Sequence, residues 1–152
     1  QMRVYVRRGS KQSGSSAPLT WSEPVVVPFG AAGAVTAFSD QFMPAITVDS
    51  LGGVHVAWIQ ADVTWDSFIP QWRVYHTRIA DFPQTWRTFS TPTVLRTVTG
   101  NPAFSTDEYF GLSASGQTVY CVFPNVDQNI TAGDPTRAYI TKIQVEVSTI
   151  DP

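Results

Sequence analysis

The chain has 152 residues, of which 43% are hydrophobic and only 14% are charged, and its formal net charge at pH 7 is −2. This balance excludes an intrinsically disordered chain, and no apolar run approaches the roughly 18 residues of a membrane-spanning helix. Because the longest run of basic residues is the pair Arg7-Arg8, we also expect no nucleic-acid partner.

Short segments rich in β-branched and aromatic residues follow one another along the chain and predict β-strands. In chain order, the predicted strands are 3–8, 24–28, 44–48, 54–60, 72–78, 92–97, 109–113, 118–124 and 137–143. Turns that contain Gly, such as Asp49 to Gly53, separate strands that form hairpins, because Gly adopts a positive φ at little cost. No segment has the 3.6-residue apolar spacing of a long helix. We therefore predict an all-β fold.

The strands form a sequence repeat of about 65 residues, and internal repeats of this length are typical of stacked-sheet folds. Three similar segments are Arg3-Val4-Tyr5, Arg73-Val74-Tyr75 and Arg137-Ala138-Tyr139. In a second family, Thr20-Trp21 matches Thr85-Trp86, and Glu23-Pro24-Val25 matches Thr91-Pro92-Thr93. Each repeat contains up to four strands in up-and-down order. We label them A (44–48, 109–113), B (54–60, 118–124), C (3–8, 72–78, 137–143) and D (24–28, 92–97), so the chain runs C-D, then A-B-C-D, then A-B-C.

Four-stranded sheets at this spacing predict an incomplete β-propeller with about two to two and a half antiparallel blades. We predict one propeller segment over 1–152, with a partial blade at 1–28, a full blade at 37–97 and a partial last blade at 103–148. The alternative is a β-sandwich, which does not require its hairpins to resemble one another. Exposed blade faces need partners, so the remaining blades come from the same precursor or from identical chains. Three copies would make a six-bladed ring.

The connections from strand D to A and from strand B to C open on one face of a propeller, where function gathers. The first D-to-A connection contributes Asp40, and the first B-to-C connection contributes Asp62, Trp65 and Asp66. The second D-to-A connection contributes Asp107 and Tyr109. Aromatic faces that stack on sugar rings, together with carboxylates that accept hydroxyl hydrogen bonds, predict a glycan site. Ordinary turn chemistry is the alternative for the individual aspartates.

Metal and nucleophile motifs are scarce in this sequence. The loop carboxylates allow a calcium site, but no calcium-loop motif is present, and we predict no other metal or cofactor. His55 and His76 are the only histidines; they lie on predicted strands and are expected to be structural. The single cysteine, Cys121, lies in the strand-like run Val119 to Phe123 and is expected to be a buried, inert thiol.

The stretch from Arg3 to Val27 resembles a blade of the sialidase-like (BNR or Asp-box) propellers, with Ser10, Gly14 and Thr20-Trp21-Ser22-Glu23-Pro24-Val25. The resemblance implies a propeller that faces glycans. The sequence departs from the family pattern in two places. Lys11-Gln12-Ser13 fills the space where an Asp-box has its aspartate, and the Arg-Ile-Pro stretch of sialidases is absent. The family's tyrosine nucleophile with a carboxylate partner suggests Tyr109 with Glu108 or Asp107 as candidate catalytic residues.

These features leave three functions open. The first is a non-catalytic propeller segment that binds a glycan or a protein. The second is the C-terminal part of a sialidase-like glycoside hydrolase, and the third is a structural propeller subunit. Few lysines with abundant Ser, Thr and Trp favour an extracellular or secreted protein.

Overall fold

The architecture comes from a computed structural model, which describes residues 2–11, 13–14, 16–30, 39–64, 67–79, 86–99, 110–126 and 143–150. Within these ranges every regular element is a β-strand and every strand pair is antiparallel. The all-β prediction is therefore confirmed. None of the described sheets closes on itself.

The strands group into three units that follow one another along the chain. Their bounds are β1 Tyr5–Val6, β2 Gly9–Ser10, β3 Thr20–Trp21, β4 Val25–Val26, β5 Asp40–Val48, β6 Val54–Thr64, β7 Ser67–Ile79, β8 Thr93–Thr99, β9 Gly111–Ser115, β10 Thr118–Val126 and β11 Ile143–Ile150. In the first hairpin, β1 pairs with β4 and β2 with β3. The central sheet has the order β5-β6-β7-β8, and the last sheet has the order β9-β10-β11. The predicted strand orders C-D and A-B-C-D are thus observed, and the predicted strands A and B of the last unit form a hairpin that pairs with β11.

The last described strand begins at the end of the segment predicted for it. It spans Ile143–Ile150 and overlaps the predicted segment 137–143 only at Ile143. Its position is set by pairing with β10, where Val119 lies opposite Ile150 and Val126 opposite Ile143. Residues 137–142, which include Arg137-Ala138-Tyr139, lie outside the described part of the chain, so their strand stays a prediction.

The connection predicted between β6 and β7, from Gln60 to Gln71, is also mostly strand. Gln71 lies opposite Asp62, and Ser67 lies opposite Thr64. The pairing continues because each backbone group on one strand finds a partner on the other. Asp62 accordingly lies on a strand and not in a loop.

The first hairpin and the β7–β8 hairpin each contain the same pair of hydrogen bonds between an arginine backbone and a serine. Arg8 N donates to Ser22 Oγ at 3.0 Å, and Ser22 N donates to Arg8 O at 2.9 Å. Arg78 N and Ser90 Oγ form the same link at 2.9 Å, with Ser90 N to Arg78 O at 2.8 Å. The two copies of the repeat therefore share a hydrogen-bond arrangement as well as a sequence pattern. Because Ser22 corresponds to Ser90, Trp86 is not the equivalent of Trp21, and that part of the sequence match was wrong.

Both faces of the central sheet pack against neighbouring units, while Ile46 and Val48 in its edge strand β5 are exposed. On one face, a cluster joins the first hairpin to the central sheet through Val4, Val6, Val27, Val54, Val56, Trp58, Tyr75 and Ile79. On the other, the central sheet meets the last sheet through Ala57, Ile59, Val74 and Cys121, flanked by Phe42, Trp72, Phe110 and Leu112. Successive residues of a strand point to opposite faces, so burial on both sides explains the nearly continuous apolar run along β6.

Gln41 joins the first hairpin to the central sheet through its side-chain amide. Val4 N donates to Gln41 Oε1 at 3.1 Å, and Gln41 Nε2 donates to Val27 O at 3.3 Å. The amide thus lies where Val4 N would otherwise bond to Val27 O. Gln60, opposite Gln41 in the sheet, accepts a hydrogen bond from Gly30 N at 3.0 Å. The two buried glutamines satisfy backbone groups that face away from water.

We expect Gln41→Ala to lower the free energy of unfolding by about 2–4 kcal/mol, because it leaves buried backbone donors and acceptors of the first hairpin without partners. Urea unfolding followed by far-UV circular dichroism measures this. Gln117→Ala, at an exposed turn position, is the matched control and should change the free energy by less than about 0.5 kcal/mol. Equal effects of the two substitutions would contradict the role given to Gln41.

Candidate functional site

The predicted ligand residues that the structure describes lie at one end of the central sheet. Asp40 is opposite Ala61, the neighbour of Asp62 in β6. The Asp40 carboxylate already has a structural partner, because its Oδ1 accepts a hydrogen bond from Met2 N at 2.6 Å. For Asp62 the backbone alone is described. The structure thus brings these two positions to one end of the sheet, and Asp40 also holds the N-terminal segment there.

The other candidate residues lie outside the described part of the chain. They are Trp65, Asp66, Asp107, Glu108 and Tyr109. Their roles in glycan binding or catalysis stay predictions. The described residues contain no group of three His, Cys, Asp or Glu side chains that could hold a metal ion. Since most of the loop carboxylates fall outside those residues, calcium binding also stays a prediction.

A buried polar network occupies the opposite end of the central sheet, and Asp49 is its centre. Asp49 Oδ1 accepts hydrogen bonds from Leu51 N and Gly53 N, both at 2.8 Å, which closes the β5–β6 turn. Asp49 Oδ2 faces His55 Nε2 at 3.0 Å and accepts from Arg78 Nε and Nη2 at 3.2 and 2.8 Å. Gly53 is required here because a side chain would collide with this ion pair.

Burial and hydrogen bonding act on Asp49 in opposite directions. Burial raises the pKa of its carboxyl group, but the hydrogen bonds from His55, Arg78, Gly53 and Leu51 outweigh burial and hold the pKa well below its usual range. Asp49 is therefore a carboxylate at neutral pH, and its charge is balanced by the guanidinium of Arg78.

The two histidines of the chain are in direct contact. His55 Nδ1 lies 2.9 Å from His76 Nε2, and the rings are stacked with centroids 5.1 Å apart. His55 Nε2 is the donor to the Asp49 carboxylate, which can only accept. The hydrogen bond between the two rings therefore uses a second proton, which lies between His55 Nδ1 and His76 Nε2. Burial, followed by charge repulsion from His55 and Arg78, lowers the pKa of His76 to about 4.

This network stabilises the fold and has no access for a substrate. His55 and the Asp49 side chain are 1% and 0% exposed. No nucleophilic side chain of the described residues hydrogen-bonds to either histidine in this structure. The adjacent turn also contacts the last sheet, where Ser50 N donates to Gly116 O at 2.9 Å. The network thus ties the end of β5 to β6, to β7 and to the next sheet.

Sequence reasoning assigned structural roles to His55 and His76 but did not foresee their contact. The contact depends on the β6–β7 register, which places Arg78 opposite His55 and His76 opposite Ala57. A usable signal was present in the turn, since an aspartate that begins a turn ending in Gly-Gly commonly accepts hydrogen bonds from the turn's own amides.

Cys121 is fully buried, as predicted from the apolar run that surrounds it. Burial raises the pKa of its thiol to about 12. The thiolate, which is the reactive form, is therefore negligibly populated at neutral pH. Cys121 is a packing residue between the central and last sheets.

The protonation of His76 should make the protein less stable in mild acid. Its pKa is about 4 in the folded chain and about 6.5 when unfolded, so between these values the unfolded state binds more protons. Stability is then fully present above pH 6.5 and decreases as the pH falls, by about 2 kcal/mol between pH 7 and pH 5. Urea unfolding at both pH values measures the loss. In His76→Gln most of this dependence should vanish, and an unchanged slope would contradict the assignment.

We expect Asp49→Ala to lower the free energy of unfolding by about 3–5 kcal/mol, because it leaves Arg78 and two turn amides without their acceptor in a buried setting. The control is Ser50→Ala at the exposed neighbouring position, whose backbone alone makes the contact with the last sheet. Guanidinium unfolding compares the two variants with the parent chain. Similar stabilities for all three proteins would show that the network is dispensable.

Comparison with known proteins assigns no family to this chain. No family model matches it, and no curated protein or solved structure matches it. Among the described residues there is no helix of the length and apolar character that crossing a membrane requires. The resemblance to sialidase-like propellers therefore rests on the sequence motifs alone.

Proposed function

We propose that the chain is an arc of a β-propeller and acts as a non-catalytic binding module. The observation that supports this most is the packing of the central sheet. It has four antiparallel strands in up-and-down order, and its two faces are covered by the units that come directly before and after it in the chain. A radial series of blades has this arrangement, whereas a two-layer sandwich has one buried face per sheet.

The ligand site of this module lies at the end of the sheets that carries Asp40 and Asp62. Those positions are adjacent across the β5–β6 pair, and Trp65 and Asp66 follow Asp62 directly in the sequence. A glycan is the ligand best suited to this mixture, since an indole face stacks on a sugar ring while carboxylates bind hydroxyl groups. The opposite end of the central sheet is less suited to binding, because Asp49 and His55 are buried and Arg78, which is partly exposed, is paired with Asp49.

A glycan array tests the proposal. We expect the chain to bind at least one glycan class, Trp65→Ala to abolish that binding, and Leu51→Ala to leave it intact as a control, because Leu51 is an exposed hydrophobic residue on the turn at the opposite end of the central sheet. A fluorogenic sialoside supplies the second readout, and no turnover is expected.

Two outcomes would contradict the proposal. Sialoside turnover that disappears in Tyr109→Phe would indicate a glycoside hydrolase. The absence of any glycan response would instead indicate a structural propeller subunit or a protein-binding one.

A further inference from the structure

The two ends of the chain carry opposite charge. Residues 1–28 hold four basic side chains and one carboxylate, a net charge of +3, whereas residues 103–148 hold two basic side chains and five carboxylates, a net charge of −3. The residues between 37 and 97 are close to neutral, with four basic side chains and five carboxylates. The overall charge of −2 therefore conceals a strong asymmetry along the chain.

The first hairpin has an apolar outer face, which we call the head face and define by Tyr5, Trp21 and Val26. Tyr5 and Val26 lie opposite each other and are 54% and 42% exposed, and Trp21 is 55% exposed. The neighbouring positions Val4 and Val6 are buried against the central sheet. Hydrophobic residues are thus present on both faces of a two-stranded hairpin, one covered and one open to solvent.

Basic and aromatic groups extend the head face. The guanidinium carbon of Arg7 lies 6.0 Å from the centroid of the Trp21 ring, and Arg7 Nε donates to Ser22 O at 3.0 Å. The Trp21 ring lies over Gly9, where a β-carbon would come within 3.2 Å of the ring. The head face is therefore an ordered apolar surface with positive charge beside it.

The last sheet has a corresponding outer face, the tail face, defined by Tyr120 and Val122. Tyr120 is 37% exposed, while Val119 and Cys121 on either side of it are fully buried. The backbone register places Val147 of β11 opposite Val122. The tail face belongs to the acidic end of the chain.

We infer that the head face of one copy of this chain packs on the tail face of a second copy. The inference rests on the propeller arc proposed above and names the neighbour that covers its two open ends. Charge complementarity favours head to tail over head to head, because two head faces would bring together two segments of charge +3. The contact continues the packing within the chain, where the inner side of the same hairpin already covers a sheet. Head-to-tail contacts are heterologous, and they close a ring when the rotation per copy permits.

Two variants, each with one disabled face, test the direction of assembly. Val26→Lys disables the head face and Tyr120→Lys disables the tail face, and both positions are exposed, so circular dichroism should confirm that the fold is kept. By sedimentation velocity at moderate ionic strength, the parent chain should assemble, and each variant alone should sediment as a single chain, with an apparent dissociation constant raised about tenfold or more. An equimolar mixture of the two should form a dimer and nothing larger, because one intact head meets one intact tail. Leu51→Lys, on an exposed turn, is the control and should assemble like the parent.

Each other result has a definite meaning. A parent chain that sediments as a single chain at all concentrations would overturn the inference and leave the glycan-binding proposal standing, with blades of a longer polypeptide as the neighbours. Assembly of Tyr120→Lys alone, with none for Val26→Lys, would indicate head-to-head contact and also overturn it. Glycan binding is read out separately, so its loss would contradict the proposed function without affecting this test.

Discussion

The structure depends on burying both faces of one four-stranded sheet. Residues at alternate positions of β6 face opposite neighbours: Val56 and Trp58 pack towards the first hairpin, and Ala57 and Ile59 pack towards the last sheet. A sheet with two apolar faces cannot be stable alone in water, because the hydrophobic surface on each side must be covered. The first hairpin and the last sheet are held in place by this requirement.

Polar groups fix where those neighbours sit. At one end of the sheet, the amide of Gln41 lies between Val4 and Val27, so the hairpin can satisfy its backbone only in one position. At the other end, Asp49 binds its own turn and Arg78, and the turn contacts the last sheet. Hydrophobic contact is non-directional, whereas buried hydrogen bonds tolerate little displacement. The apolar clusters therefore supply most of the cohesion and the polar groups supply the alignment.

Much of the fold was predictable from local signals, because alternation and Gly-containing turns report on neighbouring residues. Those signals predicted the order of the strands in the first hairpin and the central sheet and the burial of Cys121. They did not predict that a strand continues from Ile143 to Ile150, because that strand is defined by its pairing with β10. The Asp49 network was not predictable, since His55, His76 and Arg78 meet only through the register between β6 and β7, and a register is a property of two segments together.

The central claim is that successive sheets of this chain are arranged radially, as blades. A cryo-electron microscopy map of the assembled protein tests it most directly, because it shows the number of sheets and the axis that relates them. The account predicts a ring in which the central sheet lies between the first hairpin and the last sheet, with the strand ends that bear Asp40 and Asp62 on one face around a central channel. A map of two face-packed sheets enclosing a single core, with no axial opening, would contradict it.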